Sequence, residues 1–535
     1  MFGKTRGDRG LDWSDYVFVS TDRLTAPFII VFAFVATHNH FVLDRGGKVF
    51  KQSAPVIKLR AEASEDEHLD LLAVLNSSAA CFWMKQTFHD KGNGGYGGGI
   101  ASEEWERFFE HDGTKLQSFP LPTSFPRVTA TALDRYAGEL AAVTPAAVAA
   151  AGVPTAVRLR EARGRHDQLR QEMIALQEQL DWEVYGHYGL LDEPLTIPGG
   201  EPPLQLGDRA FEIVLARRLA LGEETSTWFT RHGSTPITDL PAHWPADYRA
   251  LVERRMELIE TNLEIGLIER PEYKRRWSST PWEEQQRAEL RDWLFDRLEA
   301  PTYWPDPAAI TSTARLAAQA RADDDFMTVA RLWTEHDDID IATVINEFVT
   351  AEAVPYLAAC RYTDSGLRKW AQWLHTWELQ RREDAGDDVG EIPVPPRYAP
   401  ADFQGVAWTH RGKLDVPKER FISYPGAQRE TDASLPVGWA GWDHLERARA
   451  LATWYLQAKR DGRDTEHLRP MLAGLAELVP WLLQWYDKPN ADPSLDRPGS
   501  QIAALVDAEL RSLHLVPDDL SSWRPARARR GRARR

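Results

Sequence analysis

Between Pro27 and Leu59 the chain runs PFIIVFAFVATHNHFVLDRGGKVFKQSAPVIKL, short stretches of β-branched and aromatic residues broken at Asp44-Arg45-Gly46-Gly47. Such runs read as strands and the DRGG between them as a hairpin turn, which predicts a small mixed sheet. The period then changes. In DEHLDLLAVLNSSAACFWMKQTF, Leu69, Leu72, Leu75 and Phe82 recur at helical spacing and predict one mostly buried helix that ends before a glycine-rich loop. SFPLPTSFP closes this α+β unit near residue 126.

From Arg158 to Leu190 the pattern differs in kind, because Leu169, Met173, Leu176 and Leu180 form a narrow stripe on an otherwise charged helix. That spacing is coiled-coil-like and suits a helical spacer or an antiparallel helix pair across 127–195. Beyond DEPLTIPGGEPP the pattern is mainly helical. Val252, Met256, Ile259, Leu263 and Leu267 define one apolar face, and Leu367, Trp370, Leu374 and Trp377 another. The proline-rich EIPVPPRYAP and YDKPNADPSLDRPGS read as connectors, which separates a helical region at 196–390 from a mainly helical one at 391–523. No repeat of fixed period emerges. The expected fold class is an α+β N-terminal domain followed by a mainly α-helical C-terminal region.

Composition adds scale. The 535 residues exceed one ordinary core and, at roughly 100 to 200 residues per domain, suggest three or four units. With 43% hydrophobic residues and 21 Trp the chain is globular. Cys81 and Cys360 form no C-x-x-C, so neither a disulfide framework nor a thiolate zinc site is offered, and a reducing cytoplasm is favoured. The opening MFGKTRGDRGLDWSDY lacks the basic-then-apolar order of a signal peptide, and no run reaches the ~18 apolar residues of a membrane span, so a cytoplasmic protein without membrane contact is expected.

The net charge of −16 argues against a nucleic-acid partner on average, since non-specific affinity comes from neutralised phosphates. Its distribution argues differently. The tail RPARARRGRARR at 524–535 holds seven Arg and no acid, and Arg45, Lys48, Lys51, Lys58 and Arg60 cluster with only Asp44 opposing them. The tail is expected to be disordered, adding salt-sensitive phosphate contacts or merely solubilising an acidic body.

Candidate motifs are sparse. DKGNGGYGGGIASEEWERFFE sets Gly92, Gly94 and Gly97 in a G-x-G-x-x-G order, but a dinucleotide fingerprint needs a strand before the turn and a free helix N-terminus after it. Here a helix is expected before the loop. A second helix is expected after it, capped by Ser102, with Glu103 and Glu104 in its first turn repelling phosphate. The loop reads as a DNA-approaching segment, with Lys85, Lys91, Asn93 and Tyr96 supplying cation, amide and ring, or as a solvent loop. His38 and His40 in THNHF share a face but lack a third ligand for a metal. GKT at Gly3 to Thr5 lacks the context of a phosphate loop, and Glu272 with Lys274 in PEYKRRW lacks the strand that a nuclease E-x-K needs. An amino-methylating site needs Asn, Asp or Ser before paired prolines and an aromatic directly after them. In VPPRY, Val394 cannot accept a hydrogen bond and Arg397 takes the aromatic's place. No catalytic centre is visible in the sequence.

HFVLDRGGKVFKQSAPVIKL, LLAVLNSSAACFWMKQ, KGNGGYGGG and LDWEVYGHYGL resemble the specificity region of adenine-specific DNA methyltransferases that carry catalysis and target recognition on one long chain. IGLIERPEYKRRW, VPYLAACRYTDSGLRKW, IPVPPRY, RGKLDVPKERFISYPGA and GWAGWDHLERA resemble the C-terminal half of the PglX family, the methyltransferases of type-two BREX phage-defence systems of actinobacteria. The resemblance spans nearly the whole chain. It implies a target-recognition-like domain over 1–126. It also implies a role in DNA recognition and assembly for N6-adenine methylation, with double-stranded DNA and other BREX components as partners. Family members carry an upstream S-adenosylmethionine-binding domain with an N-P-P-aromatic motif. This chain shows neither, so no catalytic or cofactor residue carries over, and S-adenosylmethionine is expected on the missing catalytic domain. Arg45, Lys48, Lys51, Lys91 and Asn93 are the DNA-binding candidates, on charge and loop position. A non-catalytic protein-interaction scaffold of the defence complex is the alternative, and a nuclease built on His38 and His40 a remoter one.

Overall fold

The computed structural model describes residues 12–14, 26–92, 103–197, 200–487 and 497–525. They divide between a first unit, Phe18–Gln286, and a second, Arg287–Arg535 with Met1–Val17. Both mix helices with small sheets, and about 56% of the structure is helical.

The first unit's strands are β1 (Ile29–Phe32), β2 (Val35–Ala36), β3 (Phe41–Asp44), β4 (Val56–Ile57), β5 (His89–Gly92) and β6 (Phe108–Glu110). They form two antiparallel three-stranded sheets, ordered β3-β1-β4 and β2-β6-β5. The DRGG turn is present, with Gly46 and Gly47 at φ 94° and 83°. It does not close a hairpin between its flanking strands, because β1 lies between them. Ile30 in β1 is fully buried, so both edges of β1 need partners away from water. Segment 53–57 supplies the second edge, accepting from Phe32 N at Pro55 O (3.1 Å) and from Phe34 N at Ser53 O (3.2 Å).

Two helices replace the single one expected after residue 64. α1 (Glu65–Leu75) begins with a capping box between Ser64 and Glu67, and α2 (Ser78–Thr87) is capped by Ser77. The chain breaks at Asn76 because that side chain pairs with β3: Phe41 N donates to Asn76 Oδ1 and Asn76 Nδ2 to Phe41 O, each at 3.0 Å. The helix expected after the glycine loop is also replaced. Glu104–Glu106 makes one 3-10 turn that buries Trp105, and β6 follows. Ser102 lies outside the described residues.

The helices that follow are α3 (Gly113–Leu116), α4 (Arg127–Ala142), α5 (Pro145–Ala150), α6 (Ala156–His187), α7 (Ala210–Leu221), α8 (Trp228–His232), α9 (Ala246–Thr261) and α10 (Leu263–Ile268). The striped helix α6 is covered on two faces. Leu180 and Val184 join the sheet core with Phe41 and Leu69, while Ile174, Trp182 and Tyr185 join a second core with Ile213, Trp228 and Met256. The apolar face expected over 252–267 is split at Asn262, which caps α10. Leu263 is thereby turned outward and Ile265 inward. Gly266 permits the close crossing, since a Cβ there would stand 2.8 Å from Ile259 O.

The second unit contains α11 (Trp282–Leu298) from Arg287 on, and a four-stranded sheet not expected from the sequence. Its strands are β7 (Thr311–Ser312), β8 (Ala353–Pro355), β9 (Phe421–Ser423) and β10 (Pro436–Trp439), in the order β7-β10-β9-β8, with β8 and β9 parallel. Around it lie α12 (Thr313–Ala322), α13 (Asp324–Thr334), α14 (Ile341–Glu352), α15 (Ala358–Arg361), α16 (Asp364–Asp384), α17 (Ala407–Arg411), α18 (His444–Arg460), α19 (Thr465–Tyr486), α20 (Pro498–Ser512) and α21 (Pro517–Ser521). Segment 393–397 is strapped along α16: Trp373 Nε1 donates to Pro396 O (2.9 Å), Thr376 Oγ1 to Pro393 O (3.1 Å) and Lys369 Nζ to Arg397 O (2.9 Å). No helix of the described residues is long and apolar enough to cross a membrane.

Candidate nucleic-acid interface

Arg45, directly after β3, is held by two acids. Its Nε donates to Glu65 (2.7 Å) and its Nη2 to Asp134 (2.7 Å), bonds that raise the guanidinium pKa, Asp134 contributing most. Its charge is therefore largely answered within the protein. Lys48 and Lys51, in the loop between β3 and β4, are exposed. Among the described residues Lys48 has only Asp44 within ion-pair distance, at 3.8 Å, and Lys51 has no acid there. Lys48 and Lys58 line the same small hollow with Val49 and Phe50. Lys91 stands on the other sheet, in β5, and pairs with Glu110. Asn93 lies outside the described residues. Lys48 and Lys51 thus stand exposed on one loop and Lys48 shares a hollow with Lys58, while Arg45 and Lys91 are occupied elsewhere.

Behind the sheet, three segments distant in sequence meet in a buried polar network. Ser78 N and Oγ donate to Asp181 (2.8 and 2.7 Å), and Gln177 Nε2 donates to Asn76 O (3.3 Å). Lys274 Nζ donates to Asp181 (2.9 Å) and Glu269 (2.7 Å), with Glu178 at 3.8 Å, and all four side chains are buried. Tyr185 OH closes the circuit on Glu269 (2.5 Å). A lysine surrounded by three carboxylates is a buried structural charge, so Lys274 is sealed in the core away from any nuclease-like role.

The next two residues behave differently. Arg276 donates to Thr37 Oγ1 (2.6 Å), Thr37 O (3.3 Å) and Trp105 O, which ties the loop before β3 to the buried Trp105. Among the described residues the Arg275 guanidinium reaches only Asn76 Oδ1 and His40 Nδ1, both at 3.4 Å, and it lies over the Trp277 ring at 5.1 Å. Desolvation pushes both guanidinium pKa values down to about 10, against a weaker opposing pull from Asp181 on Arg275 and from Glu106 on Arg276, and among the described residues no carboxylate lies within ion-pair distance of either. With Lys85 they make a cationic corner around His38 and His40. Burial first, and these cations second, drive the His38 imidazole well below its ordinary value, and desolvation with Arg275 holds His40 at about 4. Both rings are neutral at physiological pH. Among the described residues no group of three or more His, Cys, Asp or Glu is placed to hold a metal ion.

Arg275, Trp277, Asn76 and Arg45 also line a cavity of about 520 Å³ whose other walls include Leu69, Leu72, Leu133 and Met173. Arg275 was missed in the sequence reading. The run of three cations before Trp277 is the signal that could have found it, but burial of Lys274 separates functional from structural charge and leaves no trace in sequence.

A family model described as Domain of unknown function (DUF7008) matches residues 173–534. The chain belongs to the DUF7008 family. The DUF7008 match begins within α6 and includes Lys274 and Arg275, while Arg45, Lys48, Lys51 and Lys91 precede it. The chain is also 47% identical over 544 residues to the protein named Adenine-specific methyltransferase PglX of Streptomyces coelicolor, an alignment covering 98% of this chain and 44% of that protein. The chain thus spans less than half the length of the curated relative it matches. No solved structure matches.

Proposed function

We propose that this chain supplies DNA recognition and assembly to a site-specific N6-adenine DNA methyltransferase of a BREX-type phage-defence system, with methyl transfer and S-adenosylmethionine binding carried elsewhere. The observation that carries the reading is the 47% identity, along 98% of the chain, to a protein named as an adenine-specific methyltransferase. Two features agree with it. Lys48 and Lys51 stand exposed on one loop, where lysines serve phosphate contacts, and Arg275 presents a weakly engaged guanidinium over an indole ring. The paired prolines that come closest to a methyltransferase order, Pro395 and Pro396, sit in the strap along α16, behind an exposed Val394 and ahead of a buried Tyr398. That placement agrees with methyl transfer being carried elsewhere.

The test is duplex binding across a salt series. The double variant Lys48→Glu/Lys51→Glu should bind DNA more weakly and lower the slope of log K against log salt by about 2. Unchanged affinity and slope in a folded variant would remove the loop from the interface. The net charge of −16 favours a second reading, a scaffold that docks other defence components. Absence of DNA binding at low salt together with co-purification of a defence partner would select it.

A further inference from the structure

The second unit encloses a cavity of about 490 Å³ between β8, α16, α18 and α19. That is within the range of small-ligand sites. Its walls are of two kinds. On one side stand indoles: Trp370, Trp373 and Trp377 of α16, and Trp481 of α19 edge-on to Trp377 at 5.3 Å. On the other, Arg361, Arg411 and Arg447 converge.

The bonds of these arginines are unequal. Arg411 is answered by Glu419 and, at 3.6 Å, by Asp415. Among the described residues Arg361 donates only to the carbonyls of Pro355 (3.0 Å) and Tyr356 (3.2 Å), and Arg447 only to those of Trp442 and Ala440. Neither has a carboxylate of the described residues within ion-pair distance, though Asp415 and Glu477 lie close enough to favour the Arg361 charge. Arg361 Nε and Arg411 Nε are buried with no hydrogen-bond partner, and so is the hydroxyl of Tyr356. The Tyr398 hydroxyl and one acceptor, Asp415 Oδ1, are unmet there too, so donors outnumber acceptors on this cavity; unmet buried donors are costly and uncommon and mark a place where acceptors are expected. The Tyr356 ring is itself fitted closely, since a Cβ on Gly474 would lie 2.5 Å from it. Two carboxyls face this corner without a cationic hydrogen-bond partner: Asp415, which accepts from Tyr362 OH and keeps Oδ1 buried and unmet, and Glu477, which accepts from Ala358 N (3.2 Å). Burial pushes the Glu477 pKa up to about 7 against the pull of Arg361, so Glu477 only partly offsets the positive charge.

Indole walls take a flat ring, and an excess of buried donors with unpaired guanidinium groups takes an anion. We propose that this cavity binds a nucleotide, with the base against the tryptophans and the phosphate toward Arg361 and Arg447. The nucleotide is a free monophosphate or one unit of a single strand, and the same chemistry recognises both. The site is independent of the loop lysines and of the reading built on them.

Calorimetric titration of the full chain with AMP, adenosine, ribose 5-phosphate and a short single-stranded oligonucleotide tests the proposal. The expected result is binding of AMP or the oligonucleotide, with adenosine and ribose 5-phosphate each at least roughly tenfold weaker than the ligand that binds. Binding of AMP assigns the free nucleotide, and binding of the oligonucleotide alone assigns the strand. Tyr356→Phe deletes only a hydroxyl that the fold does not use, so it should weaken that binding roughly tenfold while leaving thermal stability unchanged or raised. Trp377→Leu is the second variant and should weaken binding of the base-bearing ligand. No binding by either nucleotide probe, equal affinity for ribose 5-phosphate, or binding unaffected by both variants would overturn the proposal.

Discussion

The charges around Lys274 and those around Arg361 are both buried and both mix cations with carboxylates, yet they are finished differently. In the first unit each of Lys274, Arg209 and Arg255 has its carboxylate, and in that sense the pairing is closed, although Glu178 Oε2, Glu269 Oε2 and Arg255 Nη1 lack a hydrogen-bond partner. Lys274 has Asp181, Glu269 and Glu178, Arg209 has Glu212, and Arg255 has Glu201, every one of these side chains 2% exposed or less. In the second unit, among the described residues, the Arg361 and Arg447 guanidinium groups bond only carbonyls, and around them the hydroxyls of Tyr356 and Tyr398, the Nε of Arg361 and Arg411 and one oxygen of Asp415 are left over. A closed set of buried charges is explained by the fold it holds together. An open set calls for something from outside, because desolvated donors gain nothing from the protein that buries them.

The largest effect should come from opening the closed set. Lys274→Met leaves three carboxylates buried around an apolar side chain, and denaturant unfolding should show a loss of about 3–5 kcal/mol. Neutralising Asp181 and Glu269 together with it should recover part of that loss, which no simple cavity effect would do. The next effect belongs to the open set and has the opposite sign. Glu477 keeps its proton to about pH 7 when folded and loses it near 4.5 when unfolded. The unfolded state therefore binds fewer protons between those values, and stability falls as pH rises from about 4.5 to 7, by about 3 kcal/mol. Arg361 faces this carboxyl and opposes the shift, while Tyr356 and Cys360, beside it, are held neutral by burial. Glu477→Gln keeps an acceptor for Ala358 N, so it should flatten the pH profile and stabilise the protein at pH 8. Tyr356→Phe should change stability by less than about 0.5 kcal/mol, or improve it. The smallest effect is expected at Lys48 and Lys51, whose reversal to Glu should leave unfolding within about 0.5 kcal/mol of the parent and be seen only in DNA binding.

Local pattern carried the reading as far as local causes reach. The strand-like text from Pro27, the turn at Gly46 and Gly47 and the long helix through Leu169 to Leu180 are all present. What went astray was decided by partners far off in sequence. Asn76 interrupts a helical pattern because Phe41 is there to receive it, and the order β3-β1-β4 is set by what must cover Ile30 rather than by the turn. Lys48 and Arg45 read alike as basic loop residues, yet Asp134, nearly ninety positions away, answers only Arg45. The cavity was illegible for the same reason. Trp377 read as one apolar helix face, and nothing in its neighbourhood announced that Arg361, Arg447 and Trp481 would stand opposite.

The pairing of Asn76 with Phe41 has a further consequence, for solubility. β3 is the edge of its sheet, and an edge strand offers unpaired backbone groups to any other strand that drifts past. At Phe41 both groups are already taken by one side-chain amide, which mimics a neighbouring strand for the length of a single residue. Asn76 thus acts as a stopper on the sheet, and a chain lacking it would present an open edge through which copies could zip together.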